Sequence, residues 1–410
     1  MKGESKTSKR AIIQKTFEEG GEILRLAPTW VPRVFCIPGK RIKLHPDDYY
    51  AMGSVRGGID ERWFSSTTKA DNGPLTSENE GLSFVIKKGG RENDKFLLKD
   101  AVENLQGELI GKTLWDEFEC WPMYSKFFDN QEALPHHIHH RDKHAQLVGM
   151  KGKPEAYYFP PQLNNHSGNF PYTFFGFIPS VTKEQVRDSL AAFTKGDNKL
   201  LSLSRAYKLE LGTAWNVLPG ILHAPGSLCT YEPQRASDVF AMYESLSHGQ
   251  LIPEELLWKN SPEAEKGNID YLMDVIDWDA NVDPDFYIKH FMPPQPVRDL
   301  EQMKLKGYIE NWICYKSDAF SAKELIIFPL QEVLLKDAAS YGLIMTQGYG
   351  MMDSWKLETP TLIRYGQITN DEFFVSEIAA RRGVLIKNLS ETEPLVMLKH
   401  FGPNNPDLAL

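Results

Sequence analysis

Cysteine is scarce in this 410-residue chain: Cys36, Cys120, Cys229 and Cys314 stand alone, and none belongs to a CxxC pair. That excludes a disulfide scaffold and a thiolate metal cluster, so the thiols are read as reduced and any metal site has to be built from histidines and carboxylates. Long apolar runs are missing too. No stretch approaches the roughly 18 residues needed to cross a bilayer, and the opening MKGESKTSKR is polar where a secretory leader would turn apolar, which points to the cytoplasm. There is no basic excess either. Lys and Arg number 46 against 55 acidic residues, interspersed, for a formal charge of −9, so no positive stripe exists to neutralise a phosphate backbone. Nucleic acid and membrane are therefore not expected partners. Histidine, finally, is nearly absent from the last hundred residues, where His400 stands alone, so a metal site built wholly in the C-terminal part is not expected.

What is present is an ordinary globular composition, 41% hydrophobic and 25% charged, on a chain long enough for two or three packed units. Short apolar or alternating runs recur between Gly, Pro, Asn and Asp: GLSFVIKKGG, TFFGFIPS, YKLELGTAWNVLPG, ELIIFPL and YGLIMTQGYG among them. Many such segments with turn signals between them predict a mainly β protein, a sandwich or barrel. Helical spacing is confined to a few places. Residues 181–204 carry it behind Thr182, a candidate N-cap, and about 250 to 310 is Pro-rich and acidic, with LIPEELLWK and NIDYLMDVIDW as short helices. The expected organisation is a unit over 1–250 with a helical insert at about 181–204, a connector over 251–312, and a C-terminal β unit over 313–410.

Nine of the eleven histidines lie in the first 250 residues, five of them between 136 and 144. In ALPHHIHHRDKHAQ an extended backbone puts His137 and His139 on one face, because successive side chains of a strand alternate. Two imidazoles so placed can share a divalent ion. Spacing alone leaves open the registers that use His136, or His140 with His144, and a solvated histidine cluster. Glu155 follows in KGKPEAYYF at the start of another strand, and His223 follows in NVLPGILHAPGSL. A His-x-His strand, a strand-borne Glu and a late His is the ligand order of a metal-binding jelly roll.

These segments resemble the phosphomannose isomerase (mannose-6-phosphate isomerase) type I family of the cupin superfamily. The run from Trp121 to Phe159 is similar to the family segment leading through "LSIQVHP" to "GKTEMWY", GGIDERWFSSTTKADN resembles the stretch upstream, and LPGILHAPGSLCTYEPQRASD is similar to "IPAGTPHAY" and the acidic strand after it. The resemblance is good from about residue 55 to 245 and weaker through the C-terminal half. It implies a double-stranded β-helix, the cupin jelly roll, in two β-barrel units with small helical insertions, the C-terminal one metal-free. It places His139, Glu155 and His223 on the family's metal ligands, with His137 where a glutamine ligand is usual. Lys153 falls on the active-site lysine and Glu232 on the active-site acid. Trp63 and Lys126 are further candidates for the pocket wall, while His45, in HPDDYY, lies outside the motif order.

The implied activity is aldose–ketose isomerisation of mannose 6-phosphate or a related sugar, with one divalent ion, zinc foremost, though manganese, iron, cobalt and nickel suit the same ligands. Such a reaction needs a base, for which Glu232 or Lys153 would serve, and a Lewis acid for the developing oxyanion. Two departures bear on the substrate. Met242 stands where the family has an arginine, for which Arg235 is the nearby substitute, and Pro135 replaces a serine. Two other readings share the ligand set: a cupin dioxygenase and a non-catalytic carbohydrate-binding cupin.

Overall fold

The computed structural model describes residues 6–90, 94–164 and 171–408. It is mainly β, and the ladders that build its sheets are antiparallel. A seven-stranded sheet runs in the order Phe291–Met292, Ala214–Val217, Glu155–Tyr158, Thr230–Arg235, Met123–Phe128, Gly58–Phe64 and Thr29–Arg33. Facing it is a five-stranded sheet of Ser204–Lys208, Tyr172–Phe177, His223–Ala224, His137–Ile138 and Ala241–Met242. A nine-stranded sheet centred on Ser321–Ile327, Leu395–Phe401 and Tyr341–Gln347, with a four-stranded companion, makes up the C-terminal part.

The middle strands of the seven-stranded sheet are buried on both faces, and period-two alternation divides each between two different neighbours. In Met123–Phe128, Lys126 and Phe128 face a small cavity between the two sheets. Met123 and Phe127 face the other way, into a core shared with Phe374 and Leu398 of the C-terminal sheet. Ser125 and Tyr231 reach across to His400, each at 2.9 Å from its Nδ1. Gly342 makes room for that ring, since a Cβ there would stand 2.0 Å from His400 Nε2. In Gly58–Phe64, Glu61 turns to the cavity, whereas Arg62 turns away and clamps Asp371 with both terminal nitrogens, at 2.8 and 2.9 Å.

The outer face of the five-stranded sheet is closed by helices. Thr182 caps Lys183–Ala191 in a reciprocal capping box with Gln185, and that helix packs with Ile269–Val275 over Ile138, Phe177, Leu222 and Phe240. From there the chain passes between sheets: Phe291–Met292 pairs with Ala214–Trp215 at the edge of the first, and Gln295–Pro296 with Asn311–Trp312 at the edge of the nine-stranded one. The first hundred residues also cross over. Ile23–Leu26 pairs with Glu372–Val375 and with Phe84–Ile86, so early and late chain share one sheet. Among the described residues no helix is long and apolar enough to cross a membrane.

Arg62 joins the two sheet systems through ion pairs shielded from water. Removing one partner of a buried pair leaves the other charge uncompensated, at about 3–5 kcal/mol. Arg62→Ala is therefore expected to lower the unfolding free energy in urea by about that amount; a loss below about 1 kcal/mol would mean that the clamp is not a main tie between the sheets.

Candidate metal centre

His137 and His223 are direct partners in the five-stranded sheet, and His139 lies one strand position beyond Ile138 on the same face. Each of the three rings is held by a backbone carbonyl at Nδ1: Pro135 O at 2.9 Å for His137, Val239 O at 2.8 Å for His139, and Ile221 O at 2.8 Å for His223. A carbonyl only accepts, so every Nδ1 carries the proton and every Nε2 presents a lone pair. The three ligand atoms lie within 4.8 Å of one another, buried. Burial, with His223 and His139 alongside, keeps His137 neutral far below the ordinary imidazole range, and burial with Lys153 nearby brings His139 down to about 3.

Glu155 arrives from the opposite sheet, its Oε2 2.9 Å from His139 Nε2 and its Oε1 3.2 Å from His223 Nε2. Against burial, the Lys153 ammonium at 2.8 Å helps to hold this carboxylate ionised, below the usual range. Lone pairs of neutral imidazoles thus converge on an anionic oxygen pair, and among the described residues His223 Nε2 meets no hydrogen-bond donor. A divalent cation is what such a donor set accommodates, with the carbonyls orienting the rings from behind.

Glu155 also ends a row of alternating charges that crosses the seven-stranded sheet. Lys153 Nζ is 2.8 Å from Glu155 Oε2 and 3.2 Å from Glu232 Oε1; Glu232 is 3.4 Å from Lys126, and Lys126 is 2.9 Å from Glu61. Glu61 lies 3.1 Å from Arg33, which meets Asp238 at 3.0 Å. Strand register does this: Glu232 pairs with Lys126, and Lys126 with Trp63. Against burial, Glu232 and Glu61 keep the Lys126 ammonium firmly protonated. Glu232 differs from the other acids, because burial and the neighbouring Glu155 outweigh its two lysines and raise it to about 8.

The remaining candidates go elsewhere. His136 binds Glu244 at 2.6 Å and His144 binds Asp274 at 2.8 Å. His140 is buried away from the cluster, and His45 caps the turn Pro46–Asp48. Trp63 backs the pocket, stacked on Tyr124 and donating to Glu61. Arg235 does not replace an arginine at 242: it lines a separate outer cleft and is tied to Asp142 at 3.0 Å. Arg33, Glu61, Asp238 and Tyr157, whose hydroxyl donates to Glu155, escaped the sequence reading. Glu61 and Asp238 do fall within GGIDERW and ASD, segments that the resemblance covers, but nothing in the sequence near Arg33 signals a partner 205 positions away. The cavity, about 40 Å³, is walled by the centre and charge row on one side and by Phe35, Leu134, Phe240 and Met242 on the other.

No family model and no curated protein matches the sequence. Solved structures do. Mannose 6-phosphate isomerase from Bacillus subtilis superposes with a TM-score of 0.59 at 16% identity, covering 92% of this chain and 99% of that one. A variant of the phosphomannose isomerase from Salmonella typhimurium gives 0.58 at 12%, over 93% and 99%. A zinc-bound mannose 6-phosphate isomerase gives 0.58 at 13%, again over 93% and 99%. The fold is that of the phosphomannose isomerases. Within this phosphomannose isomerase fold, the match covers 92–93% of the chain, so it extends into the C-terminal part, where the sequence resemblance is weaker.

The far end of the charge row lends itself to titration. Burial opposes it, but Arg33 and then Lys153 draw the Asp238 carboxylate down to about 2. A depressed carboxylate stabilises the folded state above its unfolded pKa, near 3.9, and the contribution disappears as pH falls through the folded value. Wild type is therefore expected to exceed Asp238→Asn in unfolding free energy at pH 7 by about 2 kcal/mol or more, with the gap narrowing between about pH 4 and pH 2. A gap independent of pH in chemical denaturation would contradict it.

Proposed function

We propose that the chain is a metal-dependent aldose–ketose isomerase acting on a small-molecule sugar in the cytoplasm. On this reading the seven- and five-stranded sheets form a double-stranded β-helix of cupin type, and one divalent ion, zinc foremost, is held by His137, His139, His223 and Glu155. The observation that carries it is the convergence of three neutral imidazoles from one sheet on a carboxylate from the other, with Glu232 and Lys153 in touch with that carboxylate. The zinc bound in a solved mannose 6-phosphate isomerase of the same fold supports the choice of metal.

When bound, the ion supplies Lewis acidity toward the sugar's carbonyl and hydroxyl oxygens. The chain's own groups then handle the proton. Glu232, at about 8, sits close to neutral pH, where a carboxyl can both take a proton from one carbon and return it to its neighbour through an enediol. Lys153 at 3.2 Å steadies the Glu232 carboxylate once it has released its proton, and Lys126 does so from the other side. Phe35, Leu134, Phe240 and Met242 exclude bulk water from the exchange. A cavity of about 40 Å³ takes an ion and little else, so a sugar has to displace this rim, in which Met242 is the most pliable member. The same apolar rim favours, as second reading, a dioxygenase using iron at the three-His, one-Glu set.

Metal analysis comes first: wild type is expected to bind one equivalent of zinc, manganese or cobalt, with a rise in melting temperature that chelation reverses, and His139→Ala to lose both. Glu232→Gln should keep the metal yet lower kcat for aldose–ketose exchange by roughly 10²–10⁴-fold. Metal binding without isomerisation of any sugar, accompanied by oxygen uptake with iron, would transfer the assignment to the oxygenase.

A further inference from the structure

We infer that the substrate of this pocket is an uncharged sugar or polyol, not a phosphate ester, because every cation in its wall is already committed to a carboxylate. The inference rests on the isomerase reading and narrows its substrate class. Three cations line the cavity. Arg33 spends its guanidinium on Glu61 at 3.1 Å and on Asp238, which it meets through both terminal nitrogens at 3.0 and 3.3 Å. Lys126 lies between Glu61 and Glu232, and Lys153 between Glu155 and Glu232. Against these stand Glu61, Glu155, Glu232 and Asp238, so each cation has an acid within 3.4 Å, and Lys153 keeps Glu232 when Glu155 is given to an ion.

A phosphate dianion is held by unpaired arginine or lysine, or by the open N-terminus of a helix. Here, to recruit Arg33 or either lysine it would have to break an ion pair and strand a buried carboxylate. The rest of the wall offers no substitute: Tyr157 donates its hydroxyl to Glu155, His137 and His139 donate Nδ1–H to backbone carbonyls, and Phe35, Leu134 and Met242 are apolar like the remainder. Nor does the outer side help. The adjoining cleft of about 850 Å³ carries Lys69, Lys99, Lys151 and Arg235, but seven acidic residues outnumber them, Asp238 among them at the mouth of the cavity, so a phosphate lying there meets a wall of net negative charge. Hydroxyl groups face none of these costs. They donate to carboxylates and accept from lysines that remain paired, leaving the row intact.

Calorimetric titration of the purified protein, metal-loaded and metal-free, with D-mannose, D-fructose, D-lyxose, mannose 6-phosphate and inorganic phosphate tests this by binding, independently of turnover. The expected result is at least one free sugar bound to the loaded protein ten-fold or more tighter than mannose 6-phosphate, with inorganic phosphate failing to compete. Tighter binding of mannose 6-phosphate than of every free sugar would overturn the inference and leave the isomerase reading standing. Binding of neither class by a protein that holds its metal would overturn both. Met242→Arg places an unpaired cation in the wall and, if its circular dichroism matches wild type, is expected to raise affinity for mannose 6-phosphate ten-fold or more. A folded Met242→Arg protein with unchanged affinity would also overturn the inference; should the variant not fold, the wild-type titrations decide it.

Discussion

The interaction on which the rest of this structure depends is the buried row of alternating charges from Asp238 through Arg33, Glu61, Lys126, Glu232 and Lys153 to Glu155. Seven ionised or ionisable groups in a protein interior would be prohibitive singly, since each pays its desolvation in full. Arranged across adjacent strands with sign reversing at each step, every charge has a partner on at least one side. The row therefore tolerates burial only as a whole, and its geometry is set by strand register, not by the flexible reach of surface side chains. At its other end the last carboxylate meets His139 and His223, so the histidine cluster inherits its position from the row.

Register holds because the seven-stranded sheet is packed on both faces by different things. One face carries the charges and looks into the cavity; the other is apolar except for a few groups that find partners in the C-terminal sheet, as Ser125 and Tyr231 do in His400 and Arg62 does in Asp371. Among the described residues the C-terminal part thus adds nothing to the group of His137, His139 and His223. It contributes the back wall, without which a one-residue slip would carry Lys126 and Glu232 out of the cavity and Phe127 and Tyr231 into it. The facing sheet is secured differently, by helices over its outer side and by carbonyls that fix each imidazole at Nδ1.

The sequence was most legible where chemistry and local periodicity coincide. His137 and His139 share a face because they are two apart on extended backbone, a fact that needs no tertiary information, and Glu155 and His223 were reachable through the order of motifs. The same was true of Thr182, whose capping box is written in four consecutive residues. Choosing between His137 with His139 and the registers through His136 or His140 required the structure, because all five nearby histidines are buried and only their partners distinguish them: Glu244 for His136, Asp274 for His144, a shared centre for His137 and His139. Arg33 was invisible for a stronger reason. Its meaning lies in carboxylates 28 and 205 residues away, and no local pattern encodes such pairings.

By itself, then, the sequence determined the β character of the chain and set His137 and His139 on one face, because these follow from residue type and from a period of two. Only the tertiary structure decided that Arg33, Lys126 and Lys153 are spoken for, that Arg235 lies outside, and that early strands join the late sheet. The physical reason is that a charge is defined by what stands within about 4 Å of it. In an antiparallel fold that neighbour is set by register between strands far apart in the chain, which a linear string of residues does not display.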